Sequence, residues 1–420
     1  MSKAKFSSIA LATVANFNAD KRKKKALKIR KANSAEYMFY KYKKNIVALL
    51  SSIQSKRLNK KIIVFESDDW GSIRTPSRKA FFTVQQKNNI TDDPYTLFDT
   101  LECTSDINKF VEILVKFKDF QGQYPLITTN FVMANPDFEA ISESEFENYS
   151  YKILDKSYKD YYPNEEVLST IQIAINNKFF FPQFHGREHV NVQLWLTLLK
   201  NGHPIFMEAF KKGFWGVRTS DLKKWNKSIQ ASFDLKKDEQ KLYINDALEE
   251  GLNIFENIFG FRSQSFIPNN YIWPTDYNQK LKELGVDYLQ GTRIQLSPQL
   301  QYGEKRNWVN RKPGFEENGG LISIVRNGSF EPSFYPGNRK KALDMCLADI
   351  EAAFRFKQPA VISIHRVNFV SGLDVRNRDE NLKLFKELLQ KILKRWPDVQ
   401  FLNSVELGDM YKSMNDSRSE

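Results

Sequence analysis

An α/β architecture built on a parallel sheet, open or closed into a barrel, is what this chain of 420 residues predicts. Three observations carry the expectation. Short, mostly apolar and β-branched runs bounded by turn residues, Ile62 to Phe65 the purest of them, read as buried strands. Amphipathic stretches at helical spacing alternate with those runs over roughly 350 residues. The composition, 41% hydrophobic and 14% aromatic, can fill a sizeable core.

Taken in order, residues 1–55 read as a basic, helical extension outside the sheet. Residues 35–54 have apolar positions at helical spacing, suited to packing on the core or on a second subunit. Residues 56–412 carry the α/β domain, with insertions at about 72–123, 137–163 and 203–240, and 413–420 reads as a disordered tail. Strand one is expected at 61–67. Its Ile62-Ile63-Val64-Phe65 runs into Glu66-Ser67-Asp68-Asp69-Trp70-Gly71. A buried strand there delivers two adjacent carboxylates to its C-terminal end, where active sites of α/β barrels sit. A plain acidic turn fits the same letters. A helix near 105–118 leads to a second strand at 125–133, which stops at Asn135-Pro136. The tyrosine-rich 137–163 reads as a loop region beside a substrate groove or as covered surface.

A helix at 165–176 is followed by a strand at 179–184. That strand feeds into His185-Gly186-Arg187-Glu188-His189, with helix continuing over 190–199. A helix at 243–259 precedes a strand at 261–267 that ends in Pro268-Asn269-Asn270. Helix 276–284 and strand 286–290 come next. Residues 297–319 read as loop. Strand 321–325, helix 339–356 and strand 360–364, running into His365, follow in turn. Helix 377–395, strand 399–402 and a closing helix 404–412 capped by Ser404 complete the chain.

The net charge of +13 is concentrated near the N-terminus, in Lys21-Arg22-Lys23-Lys24-Lys25, Lys28, Arg30 and Lys31. Such a run suits a solvated helix face, an anionic membrane or an acidic partner. No zinc-finger, RNP or helix-turn-helix pattern supports nucleic-acid binding. Two distant cysteines, Cys103 and Cys346, give no disulfide framework and fit a reducing compartment. Residues 7–17 lack the apolar core of a signal peptide, and no apolar run approaches the roughly 18 residues of a membrane span. The expectation is a cytoplasmic protein, with peripheral membrane contact through its basic segment and oligomerisation both open.

Four histidines occur: His185, His189, His203 and His365. Two of them stand four apart at a strand-to-helix junction, a spacing that puts both imidazoles on one side of a helical turn. A third ends another expected strand. Two neutral imidazoles and one carboxylate are a ligand set for a divalent ion with positions left open, which lowers the pKa of a bound water and polarises a carbonyl. A second carboxylate can then take a proton and a histidine can give one. Satisfied, hydrogen-bonded histidines with no metal are the plainer alternative.

On these residues the sequence resembles the NodB-homology polysaccharide deacetylases, over roughly residues 60–410. Their first motif, TFDDG-like, is matched by Glu66-Ser67-Asp68-Asp69-Trp70-Gly71, and their H-[ST]-x-x-H by His185 to His189. Phe261-Arg262 with Pro268-Asn269-Asn270 stands for the third motif, and Val361-Ile362-Ser363-Ile364-His365 for the last. The resemblance implies a distorted (β/α) barrel of seven strands. It implies Asp68 as general base, His365 as general acid and Arg262 as the cation beside the base. Asp69, His185 and His189 would hold a divalent metal, zinc first on ligand type and cobalt, iron, manganese or nickel acceptable. The chain departs from the pattern at Trp70, where the family has glycine, and at Asn269 or Asn270, where it has tyrosine. These three fall where substrate should bind. The family's Asp-Trp pair, whose aspartate tunes the acid, has no clear counterpart; Glu331 is the candidate, with a loop carboxylate as the alternative. Arg366 and Asn368 could bind sugar hydroxyls or phosphate, or belong to a loop whose following helix is capped by Asp374 or Asn377.

The reading is a metal-dependent hydrolase that removes an acyl group, N-acetyl foremost, from a sugar or glycan precursor in surface-polysaccharide biosynthesis. The alternative is a catalytically inactive relative that binds or assembles glycans. A glycosidase would use two carboxylates and no metal, which the histidine pair disfavours.

Overall fold

The computed structural model describes residues 35–87, 90, 93–218, 229–235, 240–298 and 306–416. The basic run at 21–31 lies outside them, as do residues 417–420. Seven parallel strands form the ring that the sequence predicts: β1 (Ile62–Trp70), β2 (Ile127–Phe131), β3 (Phe180–Phe184), β4 (Ser265–Phe266), β5 (Tyr288–Thr292), β6 (Ile322–Arg326) and β7 (Ala360–His365). Each pairs with the next from β1 to β6, and β7 pairs with β1. Closure between β6 and β7 is indirect. The chain leaving β6 places Gly328 and Ser329 against Ile362 and Ser363 of β7, and Asn327 donates its N–H to Val361 O at 3.0 Å. An eighth strand, β8 (Gln400–Leu402), pairs in parallel with the first part of β1, at Ile62 to Val64.

The strands form where they do because each is buried on both sides, so neither face requires polar residues. Outside the ring pack α1 (Thr104–Leu114), α2 (Val167–Asn176), α3 (Gln240–Phe259), α4 (Asn278–Glu283), α5 (Lys340–Arg355) and α6 (Val375–Arg395). Their apolar stripes, such as Ile107, Phe110 and Leu114 of α1 and Leu382, Phe385 and Leu389 of α6, cover Ile63 and Phe65 of β1. The ring's interior is layered. At the bottom Ile62, Val64, Tyr288, Ile324 and Val361 meet Val405, Leu407 and Tyr411 of α7 (Ser404–Asp416), which plugs that end. Above lies a buried polar layer. Gln290 donates to Asn130 at 3.1 Å and to Ser265 at 2.8 Å, and Ser404 donates to Glu66 at 2.7 Å. Satisfied in this way, such groups rigidify the core rather than weaken it. The C-terminal ends of the strands form the rim above.

Several expectations change. β1 runs to Trp70, so both aspartates belong to the strand. The stretch expected as loop at 297–319 begins in an antiparallel hairpin, Ile294–Pro298 with Arg306–Asn310. Its second strand is largely exposed and its first alternates apolar with polar residues, so pairing here needs no apolar run. Residues 413–416, expected as tail, continue α7. The tyrosines of 137–163 divide: Tyr158 donates to Glu102, Tyr161 to Pro76 O, and Tyr162 to Leu101 O at 2.7 Å, bracing the structure, while Tyr149 and Tyr151 line a surface cavity away from the rim. Residues 35–53 are helical and dock on α5 through Tyr40, which donates to Asp349 at 2.7 Å, and through Lys41 with Glu351 at 2.9 Å.

Candidate active site

Side chains alternate along a strand, so Glu66 and Asp68 both point into the ring while Asp69 should point away. It does not. Asp69 has φ 74°, in the left-handed region, and the pairing of β1 with β2 shifts register between Ser67 and Trp70. The left-handed turn brings both aspartates to the rim and sends the next residue outward. A non-glycine residue held there costs on the order of 1 kcal/mol and is typical of functional sites. Trp70 consequently lies in the core, 1% exposed, against Phe131 and Phe180, with its Nε1 donating to Ser67 Oγ at 2.9 Å. The substrate-binding role expected for Trp70 is therefore not supported.

Asp69 Oδ1 lies 3.1 Å from His189 Nε2 and 3.4 Å from His185 Nε2. One donor atom from each of the three residues falls within 4.8 Å of the others. His185 Nδ1 donates to Ile267 O at 2.8 Å; a carbonyl only accepts, so Nδ1 carries a proton and the neutral ring would turn its lone pair, on Nε2, toward the cluster. His189 is pushed down to about 4, by burial first, and is neutral near pH 7. Its Nδ1 has no partner, and Trp215 stacks on its ring. Asp69 is held well below the usual carboxylate range: burial raises it, but Arg74 and His189 outweigh burial. Arg74 Nη2 takes the outer oxygen, Oδ2, at 3.1 Å and leaves Oδ1 to the cluster. Two imidazole nitrogens and an ionised oxygen, all buried, are a donor set that fits a divalent cation.

The pair is not helical, contrary to expectation. His185 follows β3 directly, Gly186 turns the chain at φ 112°, and the next helix, Val192–Lys200, begins only after Asn191 caps it. A side chain at Gly186 would meet Asn269 Oδ1 and Glu188 O at 3.2 Å. The imidazoles meet through a bend that only glycine adopts cheaply.

A second cluster adjoins the first. Arg326, the last residue of β6, holds Asp68 with two bonds, Nη1 to Oδ2 at 2.6 Å and Nη2 to Oδ1 at 2.7 Å, while its Nε reaches Glu66 at 2.6 Å. Asn130 adds a bond to Asp68 at 2.7 Å. Burial raises the Asp68 carboxyl and Arg326 more than offsets it, so it stays ionised. His365 ends β7 with Nε2 at 3.8 Å from Asp68 Oδ2 and Nδ1 at 2.6 Å from Glu331. Burial lowers the imidazole; Glu331 overcomes this and lifts it to about 10. Asn368 donates to the other oxygen of Glu331 at 2.7 Å and to His365 O at 2.9 Å. Tyr95 sets its ring edge-on to His365.

Arg262, expected beside the base, sits elsewhere. It bonds Leu284 O at 2.9 Å, Asn253 at 2.7 Å and Glu256 at 3.1 Å on the outer side of α3. Arg326 takes its place. The signal for it was the arginine that closes the apolar run Ile322-Ser323-Ile324-Val325. Arg366 is fully buried and saturated by Asp99, Glu102 and Ser72 O, so it holds loops together instead of meeting substrate. Asn368 is likewise buried and serves Glu331. Asn269 is buried and donates to His185 O at 2.9 Å, a positioning contact. Asn270 does line the cavity, on a turn where it and Tyr271 have φ 55° and 57°. Sequence reasoning also missed Arg74, Tyr95, Asn130 and Tyr271, whose hydroxyl meets Arg326 at 3.0 Å. The cavity that Arg74, Tyr95 and Tyr271 border has a volume of about 260 Å³ and holds both aspartates and all three rim histidines on its wall.

No family model matches the chain, and no curated relative matches it. Solved structures resemble the course of its chain. A putative polysaccharide deacetylase from Mycobacterium smegmatis aligns over 86% of this chain and 93% of its own, at 12% identity and TM-score 0.38. Puue allantoinase aligns over 84% and 91%, at 9% identity and TM-score 0.42. A 4-alpha-glucanotransferase from Thermococcus litoralis aligns over 83% of this chain and 40% of its own, at 10% identity and TM-score 0.39. Similarity at this level leaves the chemistry to be argued from the residues at the rim.

Proposed function

We propose that this chain is a metal-dependent hydrolase that removes an acyl group, N-acetyl foremost, from a sugar or glycan precursor. One observation carries the reading: a carboxylate kept ionised and an imidazole kept protonated face each other at 3.8 Å, beside a separate cluster suited to a divalent ion. Two groups whose surroundings drive their protonation apart are the mark of a base and an acid.

Asp69, His185 and His189 would hold the ion, with zinc favoured by the donor types. When bound, it supplies Lewis acidity toward a carbonyl oxygen and toward water. Asp68 takes the proton of the attacking water; Arg326 and Asn130 fix both of its oxygens and thus its direction. His365 gives its Nε2 proton to the departing amine, and Glu331 keeps that proton in place up to about 10. Tyr95 and Tyr271 wall the cavity and limit water around these steps. Arg74 opposes any excess negative charge on Asp69.

Supplying the purified protein with zinc and offering it acetylated amino sugars should release acetate, and Asp68→Asn should abolish the release. Cleavage of a glycosidic bond in place of acetate release would overturn the reading, as would no turnover on any acylated sugar.

A further inference from the structure

The helix at 35–53 carries its apolar residues on the wrong side for a core element. Phe39, Tyr42, Ile46, Leu49, Leu50 and Ile53 recur at intervals of three and four and so share one face. That face looks away from the ring: Phe39 is 70%, Tyr42 66% and Ile53 67% exposed. The opposite face is the polar one, and it holds the helix to α5. Tyr40 and Lys44 reach Asp349, Lys41 reaches Glu351, and Lys341 reaches back to Glu36. An apolar stripe of this length left in water is unusual for a soluble surface and marks a contact site.

We propose that this helix lays the protein on an anionic lipid surface, apolar face down. Charge decides between lipid and a second copy of the chain. The sequence running into the helix is basic from Lys21 to Lys31 except at Ala26, Leu27 and Ile29, and Lys43 is exposed on the helix itself. A two-fold contact through this stripe would set two chains of net charge +13 against each other at a cost. An anionic bilayer satisfies the apolar face and the charge at once, as interfacial helices do. The surface hairpin adds to the same end of the molecule. Gln54, just past the helix, accepts from Asn310 at 3.1 Å and from Arg293 at 3.4 Å, and the hairpin exposes Ile294 and Trp308, the latter 73%. Tryptophan and tyrosine favour the interfacial zone of a bilayer. No helix among the described residues is long and apolar enough to cross a membrane, so the contact lies on the surface. The inner side of the same helix, through Lys44, Val47 and Ser51, walls a cavity of about 510 Å³ that extends to Tyr271 and His365. Docking would set the outer end of that cavity beside the lipid.

The test is co-sedimentation of the full chain with vesicles of phosphatidylcholine, with and without phosphatidylserine, alongside sedimentation velocity without lipid. The wild type should pellet with the serine-containing vesicles alone and lose that binding at about 0.5 M salt. The double variant Phe39→Glu, Leu50→Glu should bind about tenfold less; both sites are exposed, so its circular dichroism should match the wild type. Equal pelleting with both vesicle types would overturn the proposal, as would unchanged binding by the variant. A wild-type dimer that the variant splits, with no vesicle binding, would assign the face to a second copy instead.

Discussion

Asp68 and Asp69 are neighbours in the chain, yet they sit in opposite halves of the site. Asp69 faces the Nε2 atoms of two imidazoles and shares its outer oxygen with Arg74. Asp68 faces a protonated imidazole and gives both oxygens to Arg326. Both carboxyls are held ionised by an arginine, so ionisation does not distinguish them. What distinguishes them is what each meets on its free side: the Nε2 atoms of His185 and His189 for Asp69, the protonated His365 for Asp68. One half has the donor set of a cation site; the other, on the proposed function, separates a base from an acid. The left-handed backbone at Asp69 makes the division possible, because a regular strand would have turned one of the two away.

The comparison can be broken most severely at the cation half. His189→Ala should lower turnover by about 10³-fold or more, because two donors remain where three are needed. Steady-state assay with added zinc checks this, and full activity would dissolve the distinction between the halves. Next comes Arg326→Met. It leaves Glu66 and Asp68 buried without their cation, and the loss of stability should be about 3–5 kcal/mol. Urea unfolding measures it. Glu331→Gln should act on the proton half alone. Glu331 lifts His365 to about 10, and the protonated form is the acid, so activity is expected to fall as pH rises through that value. Without Glu331 the imidazole drops toward its ordinary range and the alkaline limb moves to lower pH. Turnover at pH 9 should fall about tenfold or more, while activity at pH 6 changes less. The smallest effect is expected from Arg262→Ala, which touches neither half. Its ion pair with Glu256 is surface-type and contributes about 1 kcal/mol or less, and kcat/KM should match the wild type.

The barrel was legible because strands buried on both faces leave short, largely apolar and β-branched runs even where a polar residue faces the interior, and all seven lie within a few residues of the expected positions. The cation half was legible too, since rare histidines stand four apart next to a strand end. The reason first assigned to that spacing, a helical turn, was not the one realised: the bend at Gly186 brings the rings together. The proton half was harder. Glu331 lies 34 residues before His365, and only folding joins them. Arg326 and Arg262 both follow strand-like apolar letters, and nothing local says which one enters the ring; parity along β6 settles it, since Arg326 continues the inward set. Trp70 misled for the same reason. A single left-handed residue before it reverses its direction, and no sequence pattern announces a left-handed aspartate. The helix at 35–53 shows the limit of periodicity, which identifies an apolar face without saying what covers it.

The account stands on the division of labour between two adjacent carboxylates, and metal content tests it without any substrate. Wild type, Asp68→Asn and Asp69→Asn would be saturated with zinc, desalted and analysed for bound metal. The prediction is one ion per chain in the wild type, one in Asp68→Asn and none in Asp69→Asn. A wild type that retains no metal, or an Asp69→Asn protein that retains as much as the wild type, would contradict it.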